Sequence, residues 1–172
     1  MKLDSDDFEL FDLPRRHAQD PSAIDAKWRA LLAQVHPDRF VSEGAAAQRL
    51  ALQWSVRINE AYRRLKDPLQ RAAYLCELHG APIAAEDNTA MPAAFLMQQM
   101  EWRESLEAAQ DLAQVDALAA DMRAVRTRSI DELCASIDER GDYAQAAQQV
   151  RSLMFVERFS RDVDQRAEAL EQ

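Results

Sequence analysis

Proline and helical periodicity together decide what this chain can become. Apolar residues recur three or four positions apart along most of its length, and prolines cut that pattern into segments. Asp20-Pro21 supplies a capping side chain and a first-turn proline, the arrangement that starts helices. Behind it, Ile24, Trp28, Leu31 and Val35 fall on one helical face. His36-Pro37 stops the run, because the residue before a proline is pushed out of the α region. Upstream, Phe8, Leu10, Phe11 and Leu13 make a short helix closed by Pro14. After a loop through Ser42 and Gly44, a long helix spans about 45–66. Leu50, Trp54, Ile58, Ala61, Tyr62 and Leu65 mark its buried stripe, and Asp67-Pro68 breaks it. A further helix carries Leu69, Ala72, Ala73, Leu75 and Leu78 and stops at His79-Gly80, with glycine in the expected C-terminal position.

Residues 81–91, with a proline, polar side chains and no clear period, read as a linker. Beyond Pro92 the pattern predicts helices over about 92–109, 112–140 and 143–170, the last two separated by Gly141. Three antiparallel helices with short connections make a small bundle. No segment alternates as a strand does. Only three of 172 residues are glycine, which suits helices. The predicted fold class is all-α. Residues 1–80 are expected to contain an antiparallel helical hairpin, and 92–172 a three-helix bundle.

Charge divides the chain at the same place. Residues 1–80 hold 12 basic and 12 acidic side chains; residues 81–172 hold 9 and 18, so the whole net charge of −9 lies in the second half. That lacks the basic footprint of general nucleic-acid binding and suggests two modules with different partners. For most of these acids, solvated helix faces are the plainer reading. No apolar run reaches the roughly 20 residues of a membrane span, and the acidic N-terminus lacks a basic-then-apolar signal region. A cytoplasmic protein is expected. Cys76 and Cys134 are isolated and have no metal spacing, so they read as structural thiols and no bound metal or cofactor is predicted.

His36-Pro37-Asp38 forms a tight turn between two helices. Proline fixes φ, Asp38 is placed for nearby backbone or a cationic partner, and His36 offers a donor and an acceptor at neutral pH. Three residues alone are a weak signal. Their context is stronger: an Ile24/Trp28/Leu31/Val35 face before, Arg39-Phe40 after, then Asn59-Glu60-Ala61-Tyr62 with Leu65 and Asp67-Pro68 ending the long helix. Residues 1–80 resemble the J-domain family in these features. The resemblance implies that His36, Pro37 and Asp38 contact an ATPase chaperone and accelerate its ATP hydrolysis. It also implies a basic docking surface, here Lys27 with Arg29 and Arg39, although Ala33 and Gln34 stand where relatives often carry a base. For Lys27, a plain solvated lysine is the alternative.

The helix after Pro92 carries more apolar surface than one bundle face needs. At about 100° per residue, Trp102, Leu106 and Ala109 lie within about 40° of Phe95. Leu96, Met97 and Met100 lie on the other side, joined by Glu101 and Glu104. An apolar patch with an acidic rim marks a protein-binding site, and methionine suits it by its adaptability. The competing reading packs this side on the first module. Phe155 stands apart from the Val150/Leu153/Val156/Phe159/Val163 stripe of the last helix, and either extends the patch or packs on a neighbour.

The Phe95-Leu96-Met97, Met100-Glu101 and Arg103-Glu104 stretch, with Leu78-His79-Gly80 and Val150-Arg151 before Leu153 and Phe155, looks like co-chaperones of the HscB type over essentially the whole chain. The resemblance implies a bundle that binds an iron–sulfur scaffold protein of the IscU type through Leu96, Met97, Met100, Glu101, Glu104 and Phe155. It also implies delivery of that scaffold to an HscA/DnaK-type ATPase chaperone. Ala108, where relatives often carry an acid, shortens the rim. Met100 replaces a common leucine, and Val35 stands where tyrosine is frequent.

Three other readings compete. An enzyme would need more than His36 and Asp38; there is no phosphate loop, no HExxH and no nucleophile motif, so no catalytic residue is expected. A general J-domain co-chaperone with a different folded client is the nearer alternative, but Gly/Phe-rich linkers and Cys-rich or β-sandwich client modules are missing. A structural helical protein with a chance His-Pro-Asp leaves the Leu96 patch unexplained, unless that patch serves self-association.

Overall fold

The computed structural model describes residues 4–85 and 91–171. Every regular element among them is helical: α1 (Asp7–Leu10), α2 (Pro21–Val35), a 3-10 helix (Pro37–Glu43), α3 (Ala45–Lys66), α4 (Pro68–Leu78), α5 (Ala93–Ala108), α6 (Leu112–Asp138) and α7 (Tyr143–Glu171). The chain divides into two compact units, Met1–Leu75 and Cys76–Gln172. Of the expected linker 81–91, residues 86–90 lie outside the described residues.

In the first unit, α2 and α3 form an antiparallel hairpin. Asp20 caps α2 by accepting from the Ser22 N–H, with Pro21 in the first turn. Ile24, Leu31 and Val35 of α2 face Ile58, Ala61 and Leu65 of α3, all buried. The Trp28 indole N–H donates to Asn59 Oδ1 at 2.9 Å and its ring stacks on Tyr62 at 4.6 Å. Tyr62 donates its hydroxyl to Asp25 Oδ1 at 2.9 Å, and Lys66 Nζ reaches the same oxygen at 2.6 Å. The Asn59–Tyr62–Lys66 stretch is thus what locks the two helices in register. Asp67 then accepts from the Leu69 and Gln70 N–H groups and caps α4.

Three expectations change here. The first helix, read as reaching Leu13 before Pro14, ends at Leu10, and Asp12 at φ +49° has left the helical region. Leu50, assigned to the buried stripe, is 48% exposed, and Ala51 is buried in its place. At about 100° per residue Leu50 stands some 80° from Ile58, whereas Ala51 stands about 20° away. The segment after Pro37, read as a loop, is a 3-10 helix ending at Gly44, whose φ of +93° a side chain would strain.

α1 is held by charge. Asp7, almost fully buried, forms ion pairs with Arg57 at 2.6 Å and Arg64 at 2.9 Å. A buried carboxylate needs such partners, since an uncompensated one carries a large desolvation penalty.

The second unit gathers α5, α6 and α7 around Trp102, Ala109, Val115, Leu118, Met122, Val156, Phe159 and Val163. Arg126 of α6 pairs with Glu157 of α7 across their antiparallel faces. Residues just before the expected linker and at its start belong to this unit. Cys76 and Ile83 are buried, the His79 ring stacks on Tyr143 at 3.9 Å, and Arg151 donates to the Ile83 carbonyl at 3.0 Å. Gly80, at φ +76°, closes α4: its N–H donates to Glu77 O and the Ala81 N–H to Cys76 O. That is the two-bond ending that favours glycine.

Candidate functional site

Two regions present chemistry at the surface, one in each unit. At the tip of the hairpin, His36 leaves the helical region at ψ 126° and ends α2. The Asp38 N–H donates to His36 Nδ1 at 3.3 Å. With Nδ1 accepting, the proton of the neutral ring sits on Nε2. The Asp38 carboxylate lies 3.6 Å from Nδ1, and the two side chains are 60% and 85% exposed. The turn therefore offers solvent an imidazole N–H and a carboxylate held close together by one backbone bond.

The basic residues expected around the turn are all engaged. Lys27 pairs with Asp12 at 2.6 Å, and that pairing holds the Asp12 carboxyl below its ordinary value. Arg29 Nε donates to the Asp25 carbonyl one turn back, and Arg39 donates to the Ala33 carbonyl at 2.8 Å. Arg39 thus satisfies one of the orphan carbonyls at the end of α2. A partner meets Lys27 as half of an exposed ion pair, a partner for it that sequence spacing did not reveal. Beside the turn, Val35, Phe40, Leu50 and Trp54 line a groove of about 360 Å³, also unforeseen.

In the second unit, α5 has two faces. Trp102, 2% exposed, anchors the core and donates its indole N–H to Asp121 at 2.8 Å; Phe95 and Leu106 pack against the same cluster. On the other side Leu96, Met97 and Met100 are exposed, Met97 by 67%. Glu101 and Glu104 lie exposed beside them, and Glu101 accepts from Gln98 at 3.2 Å. Phe155 does not join that patch as a free side chain. It is half-buried, edge-on to Phe95 at 5.9 Å, stacked on Phe159 at 5.6 Å, and covered by the Arg103 guanidinium at 5.6 Å. Its remaining surface opens into a second groove, shared with Arg103, Glu107, Arg158, Phe159 and Asp162. Spacing hid this groove: Arg103/Glu107 and Arg158/Asp162 are four residues apart and read as ordinary intrahelical pairs.

Cys134 Sγ lies 3.7 Å from Asp138 Oδ2, and burial pushes the Cys76 thiol up to about 11. Among the described residues no helix is long and apolar enough to cross a membrane.

Comparison with known proteins agrees across both units. A family model described as the HSCB C-terminal oligomerisation domain matches residues 91–164. A Bordetella pertussis protein, "Co-chaperone protein HscB homolog", is 52% identical, over 92% of this chain and 94% of the relative. A Burkholderia multivorans protein of the same description is 49% identical, over 99% of each. The solved structure of the chaperone HscB from Vibrio cholerae is similar at TM-score 0.81 and 33% identity, covering 96% of this chain and 99% of that one. Human co-chaperone HscB shares the fold at TM-score 0.88 and 24% identity, over 95% and 83%. An all-α chain with a His-Pro-Asp hairpin, a three-helix bundle and full-length relatives of this kind belongs to the HscB family of co-chaperones.

Proposed function

We propose that the protein is an adaptor without chemistry of its own, which brings an iron–sulfur scaffold protein of the IscU type to an HscA/DnaK-type chaperone. The observation that carries this reading is the two-faced α5: one face is spent on the Trp102 core, and the other leaves Leu96, Met97 and Met100 uncovered beside two carboxylates. Apolar anchors in the centre supply affinity, and Glu101 and Glu104 at the edge favour a basic partner surface and disfavour an acidic one. Phe155 contributes its open face at the edge of this surface. On the other unit, the His36 imidazole and the Asp38 carboxylate meet the chaperone, with Pro37 holding the turn; Lys27, Arg29 and Arg39 add positive charge behind them. Holding scaffold and chaperone on one chain raises their effective concentration, which needs no new bond-making step. ATP hydrolysis and cluster transfer belong to the partners.

The test is calorimetry with purified scaffold, beside an ATPase assay with the chaperone. Replacing Leu96, Met97 and Met100 by alanine should weaken scaffold binding by at least about 100-fold, each anchor contributing on the order of 1–2 kcal/mol, with basal ATPase stimulation unchanged. His36→Gln should do the reverse. A wild type that binds no scaffold, or a His36→Gln variant that loses both activities, overturns the reading.

A further inference from the structure

The groove between α5 and α7 is a candidate that the Leu96 patch does not account for. It has a volume of about 410 Å³ and is lined by Arg103, Glu107, Phe155, Arg158, Phe159 and Asp162. Its floor is aromatic: Phe155 and Phe159 are stacked. Its walls hold two arginines and two carboxylates. Among the described residues none of the four is in an ion pair, and Arg103 lies over the Phe155 ring.

That is unusual for opposite charges gathered in one groove. On each helix the base precedes the acid by four residues, the poorer order for an intrahelical pair. α5 and α7 run parallel, since Phe95 meets Phe155 at one end and Arg166 reaches the Ala109 carbonyl at the other. Arg103 reaches back over the Phe155 ring and Arg158 follows Phe155 by three residues, so on each helix the arginine stands nearer the Phe155 end and the carboxylate one turn further from it. Like charges thus share each end, and the groove is electrically polarised along its length. A complementary segment carries an acidic side chain at the Phe155 end and a basic one about a turn further on.

We propose that this groove is a second contact for the scaffold protein, in which Arg158 receives an acidic side chain and Glu107 with Asp162 receives a basic one. The inference rests on the scaffold-binding reading of Leu96, Met97 and Met100. The occupant follows from continuity: Phe155 packs on Phe95, whose sequence neighbour Leu96 opens the exposed patch, so a protein covering that patch reaches the groove mouth. Arg158, Glu107 and Asp162 then set the register in which the scaffold docks. Opposite charges at the two ends of one groove reject a segment laid down in reverse.

The experiment is calorimetric titration of the full chain with the purified scaffold at low and at raised salt. Four variants are compared with the wild type: Arg158→Glu, Asp162→Arg, the Leu96/Met97/Met100 alanine triple, and Arg161→Glu. The last reverses an exposed charge next in sequence but outside the groove. Arg158→Glu and Asp162→Arg should each weaken binding about tenfold and flatten its salt dependence, with unchanged melting temperatures. Arg161→Glu should have less than about a twofold effect. If the triple variant loses binding while Arg158→Glu and Asp162→Arg behave as Arg161→Glu does, the groove is overturned and the patch stands. If the triple variant binds as the wild type does, the scaffold reading fails, and the groove inference with it.

Discussion

Where α2 meets α3, an apolar seam is crossed by a few directional bonds between named side chains: Trp28 to Asn59, and Tyr62 and Lys66 both to Asp25. Where α5 meets α6 and α7 the joining contacts are apolar and shared by many, around Trp102, Met122, Val156 and Phe159. The directional bonds specify a single register, because each is made only at one distance and angle. The second kind supplies stability in proportion to the area removed from water and is indifferent to small slides. A hairpin that must present a turn in one pose needs the first kind. A bundle whose core is complete around Trp102 can leave the Leu96, Met97 and Met100 face of α5 uncovered, and the second kind serves it.

Disturbing each kind of contact in turn sharpens the comparison. Trp102→Ala should be the most damaging single change, removing a buried indole and its bond to Asp121. A cost of about 3–5 kcal/mol and a melting-temperature drop of roughly 10 °C or more are expected by calorimetric scan. The Leu96/Met97/Met100 triple, one face away on the same helix, should stay within about 0.5 kcal/mol of wild type per site in the same scan. A large loss there would place these residues in the core. Asp67→Ala removes the acceptor for two N–H groups at the start of α4 and should cost about 1 kcal/mol, read by urea titration.

The smallest expected effect is a pH dependence. The hydrogen bond from Lys66, then that from Tyr62, holds the Asp25 carboxyl below its ordinary value. Its contribution is therefore fully present above an unfolded pKa of about 3.9 and is lost as pH falls through the lower folded value. Between pH 7 and pH 3 the urea midpoint of the Lys66→Met variant should fall less than that of the wild type. Equal falls would mean that Lys66 contributes nothing to the hairpin.

Legibility from sequence followed the same division. Apolar periodicity placed the ends of α2 to α7 within two residues, because Pro21, Pro37, Pro68 and Gly141 act locally, but it carried α1 three residues too far, to Leu13. It separated the two faces of α5, because Trp102 and Met97 differ in angle and not merely in hydropathy. It misplaced Leu50, since a stripe's edge is decided by the neighbour that covers it. It did not reveal the burial of Asp7, whose partners Arg57 and Arg64 lie some fifty residues away, nor the Lys27–Asp12 pair. The groove beside Phe155 was hidden because whether two charges on a helix pair with each other depends on what the adjacent helix presents.

The Arg151 bond to the Ile83 carbonyl, with Cys76 buried and His79 stacked on Tyr143, bears on how the chain is to be cut. A fragment begun at residue 91, where the family match begins, would strip the bundle of the strap that covers one end of α7. It would also take an acceptor from a buried guanidinium. A fragment begun at 76 keeps that strap. The independent piece of this protein is longer than its helical bundle, and the excess lies on the N-terminal side.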